Sequence, residues 1–108
     1  MENYVIATNA DSKVEAFYID ESGTVMHTWQ LEDSSKTKWS KPQPLKGTCS
    51  QTGSNEPLTN ATRVEACTNP NGQIQVVAYT KEGGKDGTYY ICYQTPGFWN
   101  GWNKITQE

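Results

Sequence analysis

The sequence predicts an all-β chain built from two copies of one four-stranded antiparallel unit. Three observations lead there. Over residues 13–30, Val14, Ala16 and Tyr18 alternate with Glu15, Phe17 and Ile19, and Val25, His27 and Trp29 alternate with Met26, Thr28 and Gln30. The turn Asp20-Glu21-Ser22-Gly23 separates the two runs, with glycine where positive φ is easiest. Residues 6–23 then repeat in residues 66–83: Thr8-Asn9 falls on Thr68-Asn69, Asp11-Ser12 on Asn71-Gly72, Val14 on Ile74, Ala16 on Val76, and Gly23 on Gly83. Finally, no segment shows a helical period.

Taken in order, the first copy holds strands at about 4–8, 13–19, 24–31 and 38–41, and the second at about 63–68, 73–80, 88–94 and 101–106. Turns fall at 9–12, 20–23, 32–37, 69–72, 81–87 and 95–100, where Gly, Asn, Asp, Ser and Pro gather. A few extra residues (Gly84-Lys85-Asp86) enter the second copy at a turn, where insertions are tolerated. The repeat resumes with Trp29-Gln30 on Tyr93-Gln94 and Trp39-Ser40-Lys41 on Trp102-Asn103-Lys104. The units are therefore 1–47 and 63–108 within a single domain, joined by a linker at 48–62 that is rich in Ser, Thr, Asn and Gly.

Both faces of the hairpin at 13–30 carry apolar or aromatic side chains, so both need cover. The chain is 34% hydrophobic but contains four Trp, six Tyr and two Phe, rings that bury large areas or face a ligand. A formal charge of −3 argues against a phosphate-backbone binder, so no nucleic-acid partner is expected. No apolar run is long enough to insert in a membrane. Met1-Glu2-Asn3-Tyr4 lacks the character of a secretory signal. Cytoplasmic synthesis is expected, with any extracellular role following release. Cys49, Cys67 and Cys92 have no metal-ligand spacing and read as buried free thiols.

Four antiparallel strands repeated every 40–60 residues or so make a β-propeller blade. Two blades cannot close a ring, so identical chains must complete it through head-to-tail contacts. Three chains give six blades and four give eight, and a trimer is the expected state. The alternative is a sandwich or barrel closed within one chain.

The run Val14-Glu15-Ala16-Phe17, Gly23, Val25-Met26-His27-Thr28-Trp29-Gln30, Trp39-Ser40 and Leu45-Lys46-Gly47 resembles the blade repeat of the bacterial PLL-like β-propeller lectins. The second copy matches more loosely, through Arg63-Val64-Glu65, Gln75-Val76-Val77, Tyr93-Gln94 and Trp102. In length the chain is similar to small fucose-binding lectins of two blades, which form six-bladed trimers. The resemblance implies non-catalytic glycan binding at several equivalent sites between blades, without a cofactor or metal. Those lectins grip fucose with an Arg and a Glu from one blade and an aromatic from the next. Glu15 and Gln75 stand where that Arg is expected, so the fucose grip is not retained in its usual form.

Of the aromatics, Phe98-Trp99-Asn100-Gly101-Trp102 follows Pro96-Gly97 as a turn entering the last strand. Trp99 lacks a counterpart in the first copy and is expected to be exposed there. Trp39 and Trp102 match each other and are candidates either for sugar stacking or for packing within the sheet. An aromatic face suits the C–H patch of a sugar, and amides suit its hydroxyl rim. The candidate binding residues are thus Trp99, Trp102, Trp39, Asn100, Glu15 and Gln75; the linker with Asn55 and Glu56 reads equally as a further rim of the pockets and as a plain solvated loop.

Catalytic motifs are missing. His27, the sole histidine, reads as a core or inter-blade hydrogen-bonding residue. Glu15/Glu65 and Glu32/Asp33 read as solvated charges, and Gly83-Gly84-Lys85-Asp86-Gly87 lacks phosphate-loop spacing. The rival function is a structural or protein-interaction propeller module without a sugar site.

Overall fold

The computed structural model of the chain describes residues 3–32, 35–48, 54–81, 87–95 and 97–107. Cys49, Asp33 and the inserted 84–86 lie outside them. The protein is all-β, with two antiparallel sheets and no helix among the described residues. The first sheet orders β1 (Val5–Thr8), β2 (Val14–Ile19), β3 (Val25–Trp29) and β4 (Gln43–Pro44) consecutively. In the second, β5 (Ala61–Thr68), β6 (Ile74–Thr80) and β7 (Thr88–Thr95) pair in turn, and β7 also pairs with β8 (Phe98–Trp99) and β9 (Asn103–Lys104).

The two sheets share one register. Thr8 faces Val14 as Thr68 faces Ile74, and Val5 faces Phe17 as Glu65 faces Val77. Likewise Glu15 faces Trp29 as Gln75 faces Tyr93, and Phe17 faces His27 as Val77 faces Ile91. The turns match too. Asn9 and Asn69 each accept a side-chain hydrogen bond from the backbone four residues on, at 3.1 and 3.0 Å, while Ser12 and Gly72 both take positive φ. The Asp20 carboxylate accepts from the Ser22 hydroxyl and from the backbone of Ser22 and Thr24, which holds its pKa below the usual carboxylate value.

The repeat differs from the sequence alignment at its outer edge. Residues 38–41 do not form the fourth strand; Trp39 makes a single bridge to Gln30, and the strand lies at 43–44. The structural partner of Trp39 is Trp99, which faces Gln94 as Trp39 faces Gln30. The following residues confirm it. Ser40 N–H donates to Trp29 O and Asn100 N–H to Tyr93 O, while Leu45 N–H donates to Val25 O and Ile105 N–H to Tyr89 O. Trp102 therefore corresponds to Pro42 and not to Trp39. Matching Trp to Trp by type misled because the third turn is shorter in the second copy.

The sheets pack face to face around one core. The first contributes the face carrying Ala7, Phe17, Val25 and Leu45, and the second contributes the opposite face of its repeat, with Val64, Ile74, Val76, Ala78 and Cys92. Thr48 and Ser54 bond to the second sheet. Thr48 N–H donates to Trp99 O at 3.0 Å and accepts Trp99 N–H at its hydroxyl at 2.9 Å, and Ser54 pairs through the backbone with Trp102. Gly101 makes this possible: its φ is +97°, and a Cβ there would sit 2.5 Å from Ser54 O.

Of the described cysteines, Cys92 is buried as expected, but Cys67 is exposed, because it projects from the face of β5 that the first sheet does not cover. Burial pushes the Cys92 thiol up to about 12.

Phe17 is fully buried at the centre of the interface. Phe17→Ala should lower unfolding stability by about 3–5 kcal/mol in urea titrations at fixed chain concentration. Cys92 should resist maleimide at pH 7.5 in the native state and react after denaturation, as followed by mass spectrometry.

Candidate functional site

Between the sheets lies an open cleft of about 710 Å³, lined by Glu15, His27, Trp29, Lys13 and Gln43 of the first repeat and by Phe98 and Trp99 of the second. Alternation on β2 and β3 turns Glu15, Phe17, His27 and Trp29 to one face. Trp99 arrives from the second sheet through the β7–β8 hairpin. Its ring meets Phe17 edge-on at 5.9 Å and His27 edge-on at 5.8 Å, and Trp29 lies tilted 5.0 Å from His27. These separations and angles are ordinary aromatic packing.

Glu15 and His27 are the polar centre. Both are buried, with Glu15 Oε1 3.8 Å from His27 Nδ1, beyond hydrogen-bond length. Glu15 Oε2 and His27 Nδ1 have no hydrogen-bond partner. A buried carboxylate left in this state costs several kcal/mol unless something supplies donors. At the rim, Lys13 pairs with Glu32, and this bond raises the ammonium pKa. No group of His, Cys, Asp and Glu among the described residues is arranged to hold a metal ion.

Of the six candidates from the sequence, the structure brings Glu15 and Trp99 into this cleft. Trp99 is not an exposed turn residue: it belongs to β8 and is buried, because Thr48 and Phe17 cover it. Trp102 is buried behind the cleft, where its Nε1–H donates to Leu45 O at 2.8 Å. Asn100 is buried and accepts from Tyr93 N–H at 2.7 Å, a bond that belongs to the sheet. Gln75 occupies the Glu15 position on the uncovered face of the second sheet, opposite Tyr93. Trp39 stands exposed on the outer side of the first sheet. Asn55, Glu56 and Glu65 are not among the residues that line the cleft, and Glu65 is exposed beside Arg63 while Glu15 is buried, which corrects the reading of Glu15 as a solvated charge.

Sequence reasoning missed His27 and Trp29 as site residues. The signal was available: positions 15, 17, 27 and 29 share one face, and a carboxylate and an imidazole stand there among rings. His27 is not a satisfied core residue, since its Nδ1 is unbonded.

No protein-family profile matches the chain, and no curated protein matches its sequence.

The second sheet carries Gln75 and Ile91 where the first has Glu15 and His27, in the same register. The double variant E15Q/H27I copies that solution and removes the unpartnered charge. It should stabilise the chain by about 1–4 kcal/mol in chemical denaturation, the gain seen when buried ionic groups give way to well-packed neutral ones.

Proposed function

We propose that the chain is a lectin-like β-propeller module: each sheet is a blade, identical chains close the ring, and saccharides bind without catalysis in the clefts between blades. The observation that carries the binding function is the inter-sheet cleft, which Glu15, His27, Trp29 and Trp99 line together, with the imidazole next to both tryptophans. A sugar offers hydroxyls to the first pair and a C–H face to the second. Calcium has no evident place in this chemistry. Repeating such clefts around a ring gives avidity on a glycan-coated surface even where each site is weak.

Ring closure is supported by the residues left bare. The interface within the chain buries Val25 and Leu45, both 0% exposed, on the first sheet. Their structural equivalents on the second sheet are Tyr89, 50% exposed, and Ile105, 40% exposed. On the other side, the second sheet buries Val64 and Trp99, whose equivalents Tyr4 and Trp39 are 52% and 38% exposed. Each bare flank is thus a copy of one half of an interface already made. Contacts of this heterologous kind propagate from chain to chain and end only when a ring closes. Three chains, giving six blades, remain the preferred number. Cys67 would then be covered, since its equivalent Ala7 is buried in the interface within the chain.

Light scattering should give about three times the chain mass of 12.1 kDa. Ile105→Asp, a change at an exposed position, should yield folded single chains whose Cys67 gains reactivity toward maleimide. A glycan array should show binding by the assembled protein that falls steeply in the Ile105→Asp chain. A compact monomer at micromolar concentration would defeat ring closure, and an array without response would defeat the lectin assignment.

A further inference from the structure

The geometry points to Glu15 and His27 as the pair that captures two adjacent hydroxyls of a neutral saccharide and so sets which sugars the cleft accepts. This rests on the glycan-binding function proposed above and adds to it the chemical group recognised. Three observations carry it.

The first is the pair's unmet bonding. Glu15 Oε2 and His27 Nδ1 have no partner, and the Glu15 side chain is only 4% exposed. A carboxylate accepts only, so its free oxygen requires a donor; a neutral imidazole nitrogen either donates or accepts. Hydroxyls on neighbouring carbons fit that demand. One donates to Glu15, and the next bonds Nδ1. Glu15 Oε1 stands 3.8 Å from His27 Nδ1, beyond a direct hydrogen bond, so the carboxylate group and the imidazole lie side by side without satisfying each other, as two neighbouring hydroxyls require.

The second is that the fold does not need the pair. Gln75 and Ile91 hold the same register positions in the second sheet, with strand pairing unchanged. Those positions are half-buried in the second sheet, so the buried, unpartnered carboxylate belongs to the cleft and not to the repeat. The third is the setting. Trp29 and Trp99 flank the imidazole at 5.0 and 5.8 Å, placing ring surface beside the hydroxyl-binding atoms, as an amphipathic sugar requires.

The two orphan atoms are buried, so a saccharide that reaches them displaces neighbouring side chains, and the half-buried Trp29 ring beside His27 is the candidate. The carboxylate also sets a preference. Uronic and sialic acids would bring a second negative charge toward Glu15 and are rejected relative to neutral glycosides.

The chain's sole histidine makes the test direct. The assembled, isotope-labelled protein is titrated with the methyl glycosides of fucose, mannose, galactose and N-acetylglucosamine, and with methyl glucuronide, while the His27 imidazole signal is followed by NMR. A glycoside that binds should move that signal saturably. Its mono-deoxy analogue, lacking one of the two hydroxyls, should bind about tenfold or more weakly. Glu15→Gln, which keeps the shape and matches the residue at position 75, should weaken binding by about 10- to 100-fold. Binding that moves tryptophan signals while His27 stays still, or that survives Glu15→Gln unchanged, overturns this inference and leaves the lectin function standing. If none of these glycosides moves any signal and the glycan array is empty, the lectin function fails and the inference falls with it.

Discussion

Everything in this molecule depends on one contact: the face of the first sheet that carries Phe17 lies against the opposite face of the second sheet's repeat. Phe17, Val25 and Leu45 meet Val64, Ile74, Val76 and Trp99 there. With 34% hydrophobic residues, the chain has little apolar material to spare, and it concentrates it in this layer. The same contact shapes the cleft, because Trp99 must cross from one sheet to the other to line it.

Face-to-face packing of repeated sheets carries an unavoidable consequence. Each sheet has two faces, and one interface covers only one face of each. Even and odd positions alternate strictly along a strand, so the faces left over are opposite ones: Tyr4, Ile6 and Trp39 on the first sheet, Tyr89 and Ile105 on the second. The two bare patches differ in position and composition, so neither is a copy of the other.

The cleft departs from the repeat where its chemistry is concentrated. Where the second sheet has a neutral amide and an aliphatic side chain, the first has a carboxylate and an imidazole, buried and unsatisfied. Glu15 and His27 break the rule of polar satisfaction in a buried setting, whereas Gln75 and Ile91 are only half-buried. Such a break is the usual mark of a binding position, since stability is given up where a ligand is to supply the missing partner.

The amino-acid sequence by itself determined the first three strands of each sheet, their antiparallel order and the sixty-residue repeat, because alternation of side chains and Asn, Asp and Gly turns are local properties legible over a few residues, but it misplaced the outer strands. It also singled out Glu15 and Trp99, though for other reasons than their meeting in one cleft. It could not pair Trp39 with Trp99, since the deciding signal is a hydrogen-bond register and the shorter third turn displaced the alignment. Nor could it tell that Trp99 is buried, that Asn100 Oδ1 accepts from Tyr93 N–H while its Nδ2 is left unbonded, or that His27 Nδ1 lacks a partner. Those facts depend on which face of one sheet meets which face of the other, a choice made by packing between residues far apart in the chain.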